Sequence, residues 1–357
     1  MKTLIVIITM FCVIFVSCNT TSNALASNST ITTGGHTLWS NWVEKTSDFT
    51  ASVNTKYLCT NGAGQGIFIT LPGSPSDGDD FTINRSGHGA VLIESGTING
   101  AAYKLAAIRK GQTLVLKYDS GTTSWWTNNL DVGMMLSTGL VQGITAQKGY
   151  TAVGGTSNDT WADQSGNGYT FTTNASATDP TYSATSGGGS NHPGVTFNGS
   201  NYMDAADGSQ WNFSTLTFVC GFKPVNRNLM NIVNHFSSGP VGFAIGLGAT
   251  TAGKLYTSIA ASTYSDTGTA HGEEFEIFAV IKTTAVAAFR YYVGGRLNSE
   301  SASGTIGDST GYWRLGANTV PGSYMDGPYL GHAVYSTVLT ESQRNYVERF
   351  YLFSGID

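Results

Sequence analysis

Short strands separated by glycine turns limit this chain more than any other feature. Residues 193–202 (PGVTFNGSNY) alternate Val195 and Phe197 with polar residues and end in the turn Asn198-Gly199. A period of two buries one face of a strand, and Asn-Gly suits a two-residue hairpin turn. Glycine supplies 45 of the 357 residues, against a usual share of roughly 7%. The pattern predicts a turn-rich, all-β fold.

Composition narrows the function classes. Charged residues make up 11% of the chain, the net charge is −5, and no run of lysine or arginine occurs. Nucleic acid is therefore not expected as a partner, because surfaces that bind it are clustered and basic. Aromatic residues make up a further 11%, which is enough to fill a core, so the chain is not expected to be disordered. Cys59 and Cys220 lie in different strand-like segments and are expected to be buried thiols.

The first 26 residues have the pattern of an export signal. Lys2 precedes a mostly apolar run of 13 residues, 4–16, which is shorter than the roughly 20 residues that span a bilayer. Residues 15–18 (FVSC) resemble a bacterial lipobox, which implies that Cys18 is acylated after cleavage. Residues 24–26 (ALA) offer an ordinary cleavage site instead, and an uncleaved anchor is the third alternative. The only membrane contact expected is through this segment or its lipid.

Residues 27–41 are expected to be a linker, and residues 42–130 a separate β module. Strand-like segments recur here with glycine turns between them, which predicts a small antiparallel sandwich or barrel. Residues 67–83 (IFITLPGSPSDGDDFTI), 96–100 (GTING) and 111–126 (GQTLVLKYDSGTTSWW) resemble a module of bacteriophage tail fibres and other virion proteins. The resemblance implies a structural mount without catalytic residues.

Residues 131–149 differ in composition and are interpreted as a second linker, which precedes a domain at 150–357. Residues 161–169 (WADQSGNGY) form a polar, glycine-rich turn ahead of the strand at 193–202. Together the two stretches resemble the start of laminin-G-like or concanavalin-A-like domains. The resemblance implies a jelly-roll sandwich in which Trp161 is a packing residue. This fold carries lectins, glycosidases and adhesion modules alike, so it leaves the function open.

One helix is predicted, at the C-terminal end of the chain. Thr340 is the expected N-cap, Gln343 completes a capping box, and Gly355 suits the end of the helix. An apolar stripe lies between them: Tyr346, Val347, Phe350 and Tyr351. In the laminin-G-like domains that this segment resembles, the helix packs on the edge of the sandwich.

Aromatic side chains are the candidate binding residues, because sugar faces stack on rings that the fold supports. Four of them lie beside turns, where loops carry binding: Tyr202, Trp211, Tyr312 and Tyr324. Three carboxylates are weaker candidates for Ca²⁺, which some lectins of this fold bind: Asp163, Asp204 and Asp207. No other metal or cofactor is expected.

The carboxylates do not form a catalytic set. Glu274 and Glu276 lie on one face of a strand with their Cβ atoms about 7 Å apart. A retaining glycosidase needs two carboxyl groups about 5–5.5 Å apart. Glucanases of this fold use a strand motif of the type E-x-D-x-E or E-x-D-x-x-E, and the pair Glu274-Phe275-Glu276 lacks its central aspartate. A secreted glycoside hydrolase is therefore the weakest of the functions considered.

The favoured function is a non-enzymatic bacteriophage virion protein, a tail-fibre or spike component at the particle surface. Its second domain would be a lectin-like head for host-surface carbohydrate, and other virion proteins would be its partners. Such fibres are often trimers, so the resemblance implies a homo-oligomer. The export signal favours an alternative, because tailed-phage parts assemble in the cytoplasm. That alternative is a bacterial cell-surface lipoprotein or secreted adhesin with a carbohydrate-binding laminin-G-like domain.

Overall fold

The described part of the chain is built almost entirely from β-strands. The computed structural model describes residues 32–33, 36–37, 41–64, 66–129, 132–153, 158–173, 179–185, 192–206, 214–225, 230–236, 242–248, 252–259, 262–265, 275–283, 288–302, 312–317 and 323–356. These residues form 29 strands and one helix, which confirms the predicted all-β class. The predicted signal at 1–26, with Cys18, lies outside these ranges. No helix within them has both the length and the apolar character that a membrane span requires.

The first unit contains a two-stranded antiparallel pair and a ten-stranded sheet. Its strands are β1 (Thr32–Thr33), β2 (His36–Thr37), β3 (Trp42–Lys45), β4 (Phe49–Thr50), β5 (Thr55–Cys59), β6 (Ile67–Thr70), β7 (Asp80–Arg85), β8 (Val91–Ile98), β9 (Ala101–Ile108), β10 (Thr113–Asp119), β11 (Ser124–Trp126) and β12 (Val132–Leu136).

Part of the ten-stranded sheet is a short solenoid of parallel strands. One row is β3–β5–β7 and the other is β4–β6–β8. The later strands β9, β10 and β12 pair antiparallel with their neighbours, while β11 makes one antiparallel and one parallel contact. The prediction of an antiparallel sandwich or barrel is therefore wrong in its pairing for these rows. Side chains alternate with a period of two in both kinds of pairing, so the sequence pattern could not distinguish them.

The second unit is a sandwich whose described strands follow in chain order. They are β13 (Leu140–Thr145), β14 (Tyr150–Thr151), β15 (Thr160–Trp161), β16 (Phe171–Thr173), β17 (Thr181–Ser183), β18 (Gly194–Asn198), β19 (Met203–Ala205), β20 (Leu216–Phe222), β21 (Met230–Phe236), β22 (Gly242–Leu247), β23 (Leu255–Ile259), β24 (Ser262–Ser265), β25 (Glu276–Lys282), β26 (Ala288–Val293), β27 (Arg296–Ala302), β28 (Trp313–Leu315) and β29 (Asp326–Tyr335).

These strands form two antiparallel sheets. The eight-stranded sheet has the order β17–β18–β29–β20–β25–β26–β27, with β13 also paired to β29. The nine-stranded sheet has the order β14–β15–β16–β19–β28–β21–β22–β23–β24. The chain alternates between the sheets, from β18 to β19 to β20 and from β27 to β28 to β29, as the strands of a jelly roll do. The predicted sandwich is confirmed.

Trp161 anchors the core of this sandwich. Its side chain is fully buried, and its Nε1 donates to the carbonyl oxygen of Thr145 at 3.0 Å. Its ring meets Tyr329 edge-on, with the centroids 6.2 Å apart. The indole thus fills the core and also satisfies its one polar atom, which confirms its assignment as a packing residue.

The predicted linker at 131–149 instead contains two strands. β12 pairs with β9 in the ten-stranded sheet, and β13 pairs with β29 in the sandwich. Every residue of both strands is buried. The prediction of a linker is therefore wrong for these residues. The short apolar run at 132–136 is long enough to form a buried strand. The two units are therefore connected by buried strands at 132–145.

Helix α1 (Glu341–Gly355) begins as the sequence predicts. Gln343 N donates to Thr340 Oγ1 at 3.3 Å, and Thr340 N donates to Gln343 Oε1 at 2.9 Å. This reciprocal pair is the predicted capping box. Val347, Phe350 and Tyr351 are fully buried, so the apolar stripe is confirmed as the packed face.

The position of α1 differs from the predicted sandwich edge. The helix contacts β20, β25 and β29 on the eight-stranded sheet, and it also contacts β9 and β12 of the first unit. Val219, Ala279 and Ala333 share one cross-strand row of that sheet and are completely buried. Such a row must be covered, because exposed apolar surface is costly. The helix therefore lies between the two units and packs on both.

A buried histidine links β29 to β13. His332 Nε2 lies 2.8 Å from Gln142 Oε1, and its Nδ1 lies 2.9 Å from the hydroxyl of Tyr329. Gln142 Nε2 donates to the carbonyl of Tyr169, so its Oε1 is the acceptor for Nε2–H of the histidine. Burial lowers the pKa of His332 from 6.5 to about 3. The folded protein therefore holds a neutral ring where the unfolded chain would bind a proton.

Acidification is expected to destabilise the protein through His332. Its stabilising contribution is complete above pH 6.5 and is lost as the pH falls towards 3, because only the unfolded state takes up the proton. The loss is about 1.4 kcal/mol per pH unit below 6.5. Urea unfolding at pH 7.5, 6.5 and 5.5 should show a steeper decline for the wild type than for His332→Gln. Parallel profiles for the two proteins would contradict this assignment.

Candidate functional site

The candidate site lies on the nine-stranded sheet, where β19 pairs with β28. Met203 and Ala205 of β19 are buried, as are Trp313 and Leu315 of β28. Because side chains alternate along a strand, the residues between them point to the opposite, outer face. Asp204 and Arg314 are those residues, and they are direct cross-strand partners.

Asp204 and Arg314 form a two-point ion pair. Arg314 Nε lies 2.7 Å from Asp204 Oδ1, and Arg314 Nη2 lies 2.9 Å from Asp204 Oδ2. The side chain of Arg314 is 16% exposed and that of Asp204 is 20% exposed, so solvent screens the pair only in part. Burial acts to lower the pKa of Arg314, but hydrogen bonding and charge from Asp204 outweigh it and raise that pKa. The parallel bonds fix both side chains in one geometry.

Two of the predicted aromatic residues, Tyr202 and Tyr324, interact with Arg314, and a third, Tyr312, is placed on the same face by alternation. Arg314 Cζ lies 4.1 Å from the centroid of the half-buried Tyr202 ring, within the range of a cation–π contact. Tyr324 is also half-buried, and its charge interaction contributes to the raised pKa of Arg314. Tyr312 is 64% exposed and lies two residues before Arg314, which places it on the same face.

The register spaces these rings along the sheet. Asp204 is opposite Arg314, so Tyr202 falls two residues to one side of the pair and Tyr312 two residues to the other. Four residues of extended strand span about 13 Å. The outer face thus presents a polar pair flanked by two tyrosines, which we call the tyrosine-flanked pair (Tyr202, Asp204, Arg314 and Tyr312).

The backbone beside the pair is fixed by a close approach at Gly316. Its φ is +93°, and a Cβ there would lie 2.6 Å from the Phe197 ring. Gly316 N donates to Ile232 O, and its carbonyl accepts from Met325 N. These contacts hold the segment that carries Tyr324 against the end of β28.

The remaining predicted site residues do not join this group. Trp211 and Asp207 lie outside the described residues. Asp163 Oδ1 accepts from the backbone nitrogens of Gly143 and Ser165 at 3.0 and 2.8 Å, and its Oδ2 accepts from Ser165 Oγ and Tyr169 N. Asp163 therefore organises the turn at 161–169.

The two described candidates for Ca²⁺, Asp163 and Asp204, do not lie in one site. The carboxylate of Asp163 is occupied by the turn, and that of Asp204 is occupied by Arg314. Within the described ranges, no three His, Cys, Asp or Glu side chains come together as metal ligands would. Asp204 already has a cationic partner, because the Arg314 guanidinium binds both of its carboxylate oxygens.

Arg314 itself was not predicted from the sequence. The sequence Tyr312-Trp313-Arg314 could have indicated it, because alternation along a strand puts Arg314 on the same face as Tyr312. Register could not be derived without the fold, so the pairing with Asp204 could not be recognised.

A second group of carboxylates borders a cleft between β25 and α1. Glu276 and Glu348 line this cleft, which has a volume of about 400 Å³. Burial raises the pKa of Glu348 to about 7, although Arg344 acts to lower it. Arg344 Nε lies 3.0 Å from Glu348 Oε1, and its guanidinium lies 3.7 Å from the Tyr292 ring centroid. Glu274, the other half of the carboxylate pair considered above, lies outside the described residues.

No protein-family model matches this chain, and no curated protein matches it. Among solved structures, it is similar to domain 4 of AbnA, a GH43 extracellular arabinanase from Geobacillus stearothermophilus, in complex with arabinotriose. The identity is 15%, the TM-score is 0.40, and the match covers 53% of this chain and 92% of that chain.

Two further solved structures have similar scores. The binding domain of botulinum neurotoxin serotype D/C matches at 9% identity and a TM-score of 0.43, over 62% of this chain and 54% of that chain. A SAP-like pentraxin from Limulus polyphemus matches at 18% identity and a TM-score of 0.31, over 37% and 68%. Likenesses this weak do not bear on fold or function. The sandwich follows from this chain's own strand pairing.

Proposed function

We propose that this protein binds carbohydrate outside the cell, through the outer face of the nine-stranded sheet. The observation that carries the proposal is the tyrosine-flanked pair. A sugar presents hydroxyl groups that both donate and accept, together with an apolar ring face. Arg314 supplies donors, Asp204 supplies acceptors, and the Tyr312 ring supplies an exposed apolar surface. Such a mixture of aromatic and polar groups is typical of sites for small polar ligands.

The fixed geometry of the pair supports this function. Two hydrogen bonds already hold Arg314 and Asp204 in place, so little side-chain freedom remains to be lost when a ligand binds. Tyr202 packs under the guanidinium and supports it from below. The non-enzymatic role is part of the proposal, because the sequence offers no complete catalytic set for glycan hydrolysis.

The Tyr312 ring is expected to dominate the affinity of this surface. Tyr312→Ala should weaken binding of a bound glycan at least tenfold, and Arg314→Lys should also weaken it because lysine cannot reproduce the two-point contact. Leu297→Ala is the matched control, since Leu297 is an exposed apolar residue (52%) on the other sheet. A glycan array followed by calorimetry on a positive oligosaccharide measures the effect. Unchanged affinity in both site variants, with folding intact, would refute the proposed surface.

At a finer level we propose a bacteriophage virion protein that contacts the host, with the first unit as its mount and with homo-oligomeric assembly. The resemblance of residues 67–126 to virion modules supports this. The export pattern of residues 1–26 supports the second candidate, a bacterial surface lipoprotein or secreted adhesin. Mass spectrometry separates the two. The intact chain in purified particles supports the virion protein, whereas a mature chain that begins at an acylated Cys18 supports the lipoprotein.

A further inference from the structure

A groove lies on the first unit where the sandwich meets it. Its volume is about 430 Å³, within the range of about 300–1,000 Å³ that small-molecule sites occupy. It is lined by Asp48, Phe49, Phe68, Thr70, Glu94 and Lys148, together with Thr50. We call it the junction groove. It shares no residue with the tyrosine-flanked pair.

The parallel row β4–β6–β8 builds the floor of the groove. Ile67 and Ile69 of β6 are fully buried, so the alternate residues Phe68 and Thr70 point outward. Thr50 lies beside Thr70 in the register. Stacking of parallel strands thus places hydroxyl groups from successive turns of the chain side by side.

Polar contacts fix the rest of the floor. Thr70 Oγ1 donates to Glu94 Oε2 at 3.1 Å, and Phe68 N donates to Asp48 Oδ1 at 2.8 Å. The ring of Phe49 packs on Tyr57, with the centroids 4.5 Å apart. These contacts hold the Phe49 ring and the carboxylates of Asp48 and Glu94 in place.

Lys148 closes the groove from the segment after β13. Its Nζ donates to Glu94 Oε1 at 2.6 Å and lies 5.0 Å from the Phe68 ring centroid. The hydrogen bond from Lys148 is the main cause that lowers the pKa of Glu94, and desolvation opposes it. The Glu94 carboxylate is thus held in its ionised form beside Lys148, and the groove is complete only when the two units are assembled.

We propose that the junction groove is a second saccharide site, which takes a neutral oligosaccharide. The groove combines the ammonium donor of Lys148 with acceptors on Asp48, Glu94 and Thr70, whose own proton is donated to Glu94. With the ring of Phe68, these groups suit hydroxyl groups and an apolar sugar face. An anionic ligand would meet two carboxylates. A cationic ligand would meet Lys148, which already occupies Glu94. A neutral polyhydroxyl ligand avoids both penalties.

This site goes beyond the proposed function, because it lies on the other unit. Its test is independent of the test of the tyrosine-flanked pair. Full-length protein is applied to an array that holds neutral, sialylated and sulfated oligosaccharides. Phe68→Ala and Glu94→Gln should each weaken binding of at least one neutral oligosaccharide tenfold or more, while Tyr312→Ala leaves that binding unchanged. Val115→Ala is the matched control, since Val115 is exposed (49%) on β10 of the same unit.

Several results would overturn the second site. They are the absence of any bound neutral oligosaccharide, Phe68→Ala effects confined to charged glycans, and losses caused equally by Phe68→Ala and Tyr312→Ala. Retention of all binding by a folded Phe68→Ala protein would also overturn it. If Phe68→Ala lowers the melting temperature, Thr70→Val and Glu94→Gln replace it, because both preserve side-chain volume. If Tyr312→Ala weakens binding of no glycan while Phe68→Ala still weakens binding of a neutral oligosaccharide, the tyrosine-flanked pair is refuted and this site stands.

Discussion

Gly133→Ala is expected to destabilise the protein by about 3 kcal/mol or more, at the high end for a single added methyl group. Gly133 lies in β12, against the backbone of α1. A Cβ at this position would overlap the amide nitrogen of Phe350 and the carbonyl carbon of Arg349. Those atoms belong to a helix and cannot rotate away as a side chain would. The strand and the helix must therefore separate, which opens the core between the two units.

The surroundings make such a separation costly. Val132 and Met134 of β12, and Val347 and Phe350 of α1, are at most 2% exposed and belong to one core cluster. Moving the helix outward would leave gaps around each of them, and interiors lose dispersion contacts even to small gaps. Gly133→Val should therefore destabilise the protein more than Gly133→Ala does, and the Val variant is expected not to fold at 37 °C.

Urea unfolding of Gly133→Ala measures this effect, and Gly73→Ala is its matched control. A Cβ at Gly73 meets no atom within 4 Å, so that variant should unfold like the wild type or slightly later, because alanine restricts the unfolded chain. Equal midpoints for the two variants would mean that β12 and α1 do not approach as closely as described.

The sequence predicts elements here better than it predicts their neighbours. The strand at 194–198 and the capping box at Thr340 follow from local patterns, and both are present. The packing of Trp161, which is also present, follows from the resemblance of its turn to laminin-G-like domains. Local patterns depend on residues close in the chain, where the physical causes are short-range.

The sequence did not predict which strands and side chains pair with each other when they are far apart in the chain. The rows β3–β5–β7 and β4–β6–β8 have the alternation of any half-buried strand, so their parallel pairing was not predicted. The stripe on α1 shows that the helix packs, but not that it packs on both units. Likewise, Asp204 and Arg314 are 110 positions apart, and only the register of β19 with β28 brings them together.

Removal of the Arg85 guanidinium is the other change expected to have a large effect. Arg85 is completely buried. Its Nε donates to Gly89 O at 3.0 Å, and its Nη1 donates to Ile108 O at 2.6 Å and to Phe353 O at 2.7 Å. Phe353 lies in the last turn of α1, where carbonyl groups lack helical partners and carry partial negative charge. One side chain thus ties β7, β9 and the end of the helix together.

Arg85→Met is expected to lower the free energy of unfolding by about 4 kcal/mol. Methionine fills much of the volume but donates no hydrogen bond, so buried carbonyl groups lose their partner at about 1–3 kcal/mol each. The stability of Arg85→Lys should lie between those of the wild type and Arg85→Met, because an ammonium group keeps the charge but cannot reproduce the fixed fork of the guanidinium.

Arg290→Met is the matched control for Arg85→Met. Arg290 forms an exposed ion pair with Glu300, and the side chains are 44% and 46% exposed, so its loss should cost under about 1 kcal/mol. Urea unfolding gives the two costs, and hydrogen exchange in the last turn of α1 locates the damage. Arg85→Met should accelerate exchange there, and Arg290→Met should not. If Arg85→Met is no more costly than Arg290→Met, the helix end is held by its apolar face alone, and the carbonyl groups find other donors once the guanidinium is gone.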